Sequence, residues 1–180
     1  MPHTVAHILI VIILIELFRE YIVKNNKKFP RYYILIAAIG AIIPDFDIIV
    51  YYVMYFFGFT LSQIHRTFLH TLFIPLILFL IGIFFYTEKI KNSKLGKMHI
   101  HLPSIFFILS FGSFIHLVLD ALIIGKIIPL YPFSAYSIGI NLVGIFPKEW
   151  KNLILPSFDT LMLILWLFWM EFKLKIPKYI

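Results

Sequence analysis

The chain has 180 residues, 61% of them hydrophobic and 18% aromatic, and carries a net charge of +7, with a mean hydropathy of +0.94. Soluble domains are roughly 45–50% apolar, so this composition excludes an ordinary soluble globular protein. Cysteine is absent, which excludes disulfides and thiolate ligation and leaves imidazole and carboxylate to hold any metal.

The first apolar run, about Thr4 to Val23, matches the roughly 20 residues a helix needs to cross a bilayer. It has neither a basic start nor a small-residue cleavage site, and so predicts a retained span. Glu16, Arg19 and Glu20 lie toward its end, and Lys24, Lys27, Lys28 and Arg31 follow as a basic loop. The second run, Tyr32 to Phe57, contains Pro44, which removes a backbone donor and predicts a broken helix near Ile43. Asp45 and Asp47 sit at that point.

After Gly58 comes His65-Arg66-Thr67-Phe68-Leu69-His70-Thr71, then a third span from about Leu69 to Tyr86. A second basic loop, Glu88 to His101, carries Lys89, Lys91, Lys94 and Lys97, and its His99 and His101 are expected to be unrelated to any site. The fourth span, about Ser104 to Ile124, holds His116 and Asp120. Gly125 to Pro156 is too interrupted for a span and is expected to form an interfacial cap, with Tyr131, Tyr136 and Trp150 at headgroup depth. A fifth span, about Phe158 to Phe172, is expected to be capped by Ser157 and Asp159 and leads into the basic tail with Lys173, Lys175 and Lys178.

The fold class that follows is all-α: a polytopic transmembrane helical bundle of about five spans with one broken helix, forming a single domain over residues 1–180. Five spans put eleven of the sixteen Lys and Arg residues on one side, and cytoplasmic loops are enriched in these residues. The expected topology is a multi-pass cell-membrane protein with its N-terminus outside and its C-terminus cytoplasmic. This placement of basic residues, at the ends of apolar runs, is that of membrane orientation and gives no sign of nucleic-acid binding.

Ionisable residues inside apolar spans are costly and mark function by default. His116 and Asp120, four residues apart, share a helix face, and His3 and His7 have the same spacing. On the topology above, these residues, Asp45, Asp47, His65 and His70 reach a similar depth toward the extracytoplasmic face. They are expected to form one convergent metal site for one or two divalent ions, Zn2+ or Mn2+, with His7, Asp45, Asp47, His65, His70, His116 and Asp120 as ligands and His3 as an additional one. Such a centre acidifies water and polarises a phosphoryl oxygen, and Arg66 can hold a phosphate in a bidentate contact. The chemistry expected is hydrolysis of a phosphoester on a membrane lipid or lipid-linked substrate, with Asp47 and Arg66 in catalytic roles. The alternatives are a divalent-ion transporter or sensor, since interrupted helices serve that purpose elsewhere, and a non-catalytic protein in which a metal ties helices together.

The order of motifs, an early His in the first span, Pro-Asp-x-Asp, His-Arg-x-x-x-His, then His-x-x-x-Asp followed by Gly125 and Tyr131-Pro132, resembles the inner-membrane-associated metal-dependent hydrolase family (YdjM-like, also described as LexA-binding). The resemblance runs from about His7 to Phe133 and implies a membrane hydrolase whose polar positions correspond to His7, Asp45, Asp47, His65, His70, His116 and Asp120. The family's His-Arg-Gly-x-Thr-His-Ser stretch departs here at Thr67, Leu69 and Thr71. The motif order is also distantly similar to zinc-dependent phospholipase C.

Overall fold

The computed structural model describes residues 4–25, 29–64, 69–88, 93–95, 98–123, 125 and 127–174. Helix α1 (Thr4–Leu17) continues as a π-helical turn over Phe18–Val23 and ends at Lys24, whose left-handed backbone returns its N–H to the Arg19 carbonyl. Helix α2 (Tyr32–Ile42) passes through a 3-10 turn (Ile43–Phe46) into α3 (Asp47–Tyr55). A single turn, α4 (Leu61–Ile64), precedes α5 (Phe73–Thr87). Helix α6 (Leu102–Ile123) and helix α7 (Lys148–Trp169), the latter extended by a π-helical turn over Met170–Leu174, complete the set.

Three stretches among the described residues are long and apolar enough to cross a membrane: Tyr32–Tyr55, Leu102–Ile123 and Leu153–Phe172, with Phe73–Thr87 as a shorter apolar helix. Large side chains such as Leu35, Ile77, Leu80 and Phe168 face outward, as lipid-facing surfaces require. The protein is therefore a helical membrane bundle.

Two expectations about other elements need correction, whereas the break expected near Ile43 is present: α2 ends at Ile42 and the chain tightens into a 3-10 turn, with Ile43 at φ −51° and ψ −45° and the Asp47 N–H bonding to the Pro44 carbonyl. A 3-10 turn absorbs the missing proline donor because Pro44 stands at the start of that turn, where the N–H would lack a partner anyway. The last helix begins at Lys148, ten residues earlier than expected, with Pro156 inside it. Pro147 and Glu149 supply the start signals there. The second basic loop, finally, is not wholly irregular. β1 (Ser93–Leu95) pairs antiparallel with β2 (Met98–Ile100) in a small hairpin appended to the helical bundle.

The core is built from α1, α2 and α6 around Val11, Ile15, Tyr33, Ile34, Ala37, Ala41 and Ile108. Small residues set how closely α2 and α6 approach. A Cβ on Gly112 would lie 2.4 Å from the Ala37 carbonyl oxygen, and one on Gly40 would lie 2.6 Å from that of Leu109. Backbone-to-backbone packing of this kind is how helices associate in lipid, where the hydrophobic effect gives no drive. It fixes the α2–α3 joint against the last two turns of α6. Lys24 and Arg31 are exposed at the opposite end of the bundle.

Candidate metal centre

Four elements converge at one end: the first turn of α1 brings His7, the 3-10 turn brings Asp45 and Asp47, the lead-in to α5 brings His70, and the end of α6 brings His116 and Asp120. His7, Asp47, His70, His116 and Asp120 are all buried. Asp45 is the most open of the set, its side chain 15% exposed.

The donor atoms close a ring. Asp45 Oδ1 lies 3.7 Å from His70 Nε2, which lies 3.4 Å from Asp120 Oδ2; that oxygen is 3.8 Å from His116 Nε2, which returns to Asp45 Oδ1 at 3.6 Å. A tetrahedral ion with bonds of about 2.0–2.2 Å holds its ligands about 3.3–3.6 Å apart, so the four atoms stand only slightly wider than an ion would hold them. Asp120 turns its other oxygen toward His7, Oδ1 lying 3.4 Å from Nε2. Two overlapping groups result, His7 with His116 and Asp120, and Asp45 with His70 and His116.

The remaining nitrogens of two imidazoles face second partners. His116 Nδ1 donates to the Ala41 carbonyl at 2.7 Å, which fixes the tautomer and leaves Nε2 as a bare lone pair. That Nε2 is buried and makes no hydrogen bond among the described residues. His70 Nδ1 faces Asp47 Oδ2 at 3.2 Å, the carboxylate–histidine relation that orients metal ligands. Asp47 thus stands behind His70, whereas Asp45 stands on its Nε2 side. The 3-10 turn makes this clamp feasible: residues two apart diverge by about 160° on an α-helix but by about 120° on a 3-10 turn. The His7 ring packs on that of His116 with centroids 4.4 Å apart.

Electrostatics favours a cation here. Three carboxylates share one buried location, where an uncompensated charge costs several kcal/mol, and a divalent ion offsets them. The residues therefore fit a metal by donor type, spacing and charge, and these buried His and Asp groups could hold one.

A family model described as YdjM inner membrane protein matches residues 1–175. The chain belongs to that family. In this YdjM protein the match covers all four elements that build the centre, and the sequence resemblance reaches the same family from its motifs. Neither a curated protein nor a solved structure matches the chain.

Of the site residues expected from the YdjM motifs, His7, Asp45, Asp47, His70, His116 and Asp120 come together. His3, His65 and Arg66 lie outside the described residues, as does Thr67. Thr71, one of the departures, is buried beside His70. Gly125 donates its N–H to the Asp120 carbonyl with φ +80°, closing α6 immediately after the ligand pair.

Sequence reasoning missed two contributors. The Ala41 carbonyl carries no side-chain signal. Asp159 does not cap its own helix, as expected, because α7 has already run more than two turns before reaching it. Its Oδ1 accepts instead from the backbone N–H of Ala6 at 3.0 Å, beside His7. An aspartate within an apolar span was the available clue.

Proposed function

We propose that this protein is a membrane-bound, metal-dependent hydrolase that cleaves a phosphoester of a lipid or lipid-linked substrate. The observation that carries the reading is the closed ring of four donors, Asp45, His70, Asp120 and His116, with His7 against it. Zinc suits two imidazoles and two carboxylates at tetrahedral spacing. Asp120 offers one oxygen to His7 and the other to the ring, so these residues would hold one ion or two.

Bound, such an ion supplies Lewis-acid polarisation of a phosphoryl oxygen and acidifies water. The chain's own residues do the rest. His116 and His70 are held in register by Ala41 and Asp47. Asp45, the most open ligand, marks the side from which substrate reaches the centre. Arg66 neutralises phosphoryl charge in this scheme, on the strength of its place in the sequence beside His65. The charge asymmetry of the loops supports a centre toward the extracytoplasmic face and a cytoplasmic C-terminus.

The test is metal analysis of purified protein together with phosphate or headgroup release from mixed lipid vesicles. Stoichiometric zinc and release abolished by chelation and restored by zinc are expected; full activity in metal-free protein overturns the reading.

The near-complete burial of the donors favours a second reading, a metal that only ties helices together. It predicts that Arg66→Ala and Asp47→Asn leave function untouched while His116→Ala unfolds the protein. Ion transport has less support, since the hydrophobic cluster beyond the centre includes Val11, Ile15, Ile34 and Ile108.

A further inference from the structure

Helices α5 and α6 leave between them a groove of about 340 Å³ walled by Leu72, Pro75, Leu76, Phe79, Ser110 and Phe114. Its one polar side chain is already satisfied, the Ser110 hydroxyl donating to the Pro75 carbonyl at 2.7 Å. Among the described residues the wall is therefore almost wholly apolar. Leu72, Leu76, Phe79 and Phe114 are 37–49% exposed, so the groove opens sideways onto the bilayer.

Its direction ties it to the metal centre. Leu72 follows His70 by two residues and Phe114 precedes His116 by two. From that end, α5 runs from Leu72 to Phe79, and α6 runs back from Phe114 to Ser110, both away from the donors and toward the basic end of the bundle. The wall extends roughly 10 Å along α5 at 1.5 Å per residue. A polar head at the centre and an apolar channel leading from it into the hydrocarbon layer match the shape of one amphiphile. By contrast, the cavity of about 300 Å³ between Ile15, Phe29 and Phe107 lies near the far end of α1, remote from the donors.

We propose that the α5–α6 groove seats a hydrocarbon chain of the lipid whose phosphorylated head reaches Asp45, His70, His116 and Asp120. The identity of the head rests on the hydrolase reading; occupancy of the groove can be measured without catalysis.

The experiment uses the full chain in phospholipid vesicles doped with a phospholipid bearing a photoactivatable diazirine on its acyl chain or, in a second arm, with a diazirine-bearing polyprenyl phosphate. Crosslinked residues are mapped by mass spectrometry. Several-fold heavier labelling of Leu72, Leu76 and Phe114 than of Leu35 and Ile39, which face lipid on α2, is expected in at least one arm. The responding arm names the source of the chain. Leu76→Trp fills the groove and removes the excess at Leu72 and Phe114, whereas Leu80→Trp, exposed on α5 outside the groove, leaves it in place. Labelling that follows exposure alone in both arms overturns the proposal, as does an excess that Leu76→Trp does not reduce. Groove labelling without any lipid cleavage overturns the hydrolase reading and leaves the groove standing; cleavage with uniform labelling does the reverse.

Discussion

Asp159, in the middle of α7, accepts a hydrogen bond from the backbone N–H of Ala6, the third residue of α1. The first N–H groups of a helix have no partner within it, and a carboxylate there also meets the positive end of the helix dipole. Because His7 is the next residue, α7 contributes to the centre without supplying a ligand. Asp159→Ala is expected to cost about 1 kcal/mol, the usual worth of a capping side chain, and to weaken metal retention. Asp159→Asn keeps an acceptor oxygen and should lose less on both counts. Thermal unfolding in detergent, with zinc content after dialysis, measures both.

Asp47 holds Nδ1 of His70 at 3.2 Å. Replacing a carboxylate that orients a metal-bound imidazole typically costs 10–100-fold in affinity or activity. Asp47→Asn is expected to reduce zinc affinity within that range while leaving the ligand atoms in place. Titration against a competing chelator reads this directly, and unchanged affinity would remove Asp47 from the centre.

Asp120 faces three imidazoles within 4 Å, those of His7, His70 and His116. Asp120→Ala should therefore lower metal content more than His7→Ala, which removes a donor from the edge of the ring. A ligand that binds only the folded state stabilises it by about 2.7 kcal/mol at a hundredfold excess over its Kd. The wild-type protein should thus melt at higher temperature with zinc than with chelator, and Asp120→Ala should show no such difference.

How much of this could be read from the residues alone depends on what each contact is made of. The interval between His116 and Asp120 and the pair of aspartates after Pro44 were legible, because ionisable side chains inside apolar runs stand out and helical spacing says which share a face. The membrane bundle and the positions of most helices followed from run length. Pro44 was legible too, as the point where the α-helix gives way to a 3-10 turn. Pro156 misled, because proline removes one hydrogen bond and need not end a helix: α7 continues through it, with Thr160 bonding back to its carbonyl. The Ala41 carbonyl and the contact from Asp159 to Ala6 depend on which helices become neighbours, and that is decided by packing between residues that lie 75 and 153 positions apart.

Gly112→Ala places a methyl group 2.4 Å from the Ala37 carbonyl oxygen, and backbone cannot move aside as a side chain can. Overpacking of this kind costs about 1–3 kcal/mol, and the resulting separation of α2 from α6 should also weaken zinc binding. Gly82→Ala meets first the Phe107 ring, at 2.8 Å, a side chain that can rotate away. It is expected to be milder in stability and to leave zinc binding unchanged.

Orientation can be measured cleanly because the chain has no cysteine. Thr60→Cys, exposed on the side of the metal centre, should react with a membrane-impermeant maleimide in intact cells. Lys24→Cys, exposed at the opposite end, should react only after permeabilisation. The reverse pattern would place the centre on the cytoplasmic face.

The close seating of Gly40 and Gly112 divides the centre into two mechanical halves. Asp45, His116, Asp120 and the Ala41 carbonyl belong to a pair of helices seated backbone against backbone. His7 comes from the opening turn of α1, which Asp159 of α7 fastens from outside, and His70 from the residues leading into α5, so this half is assembled from separate pieces of the chain where the other is a single paired unit.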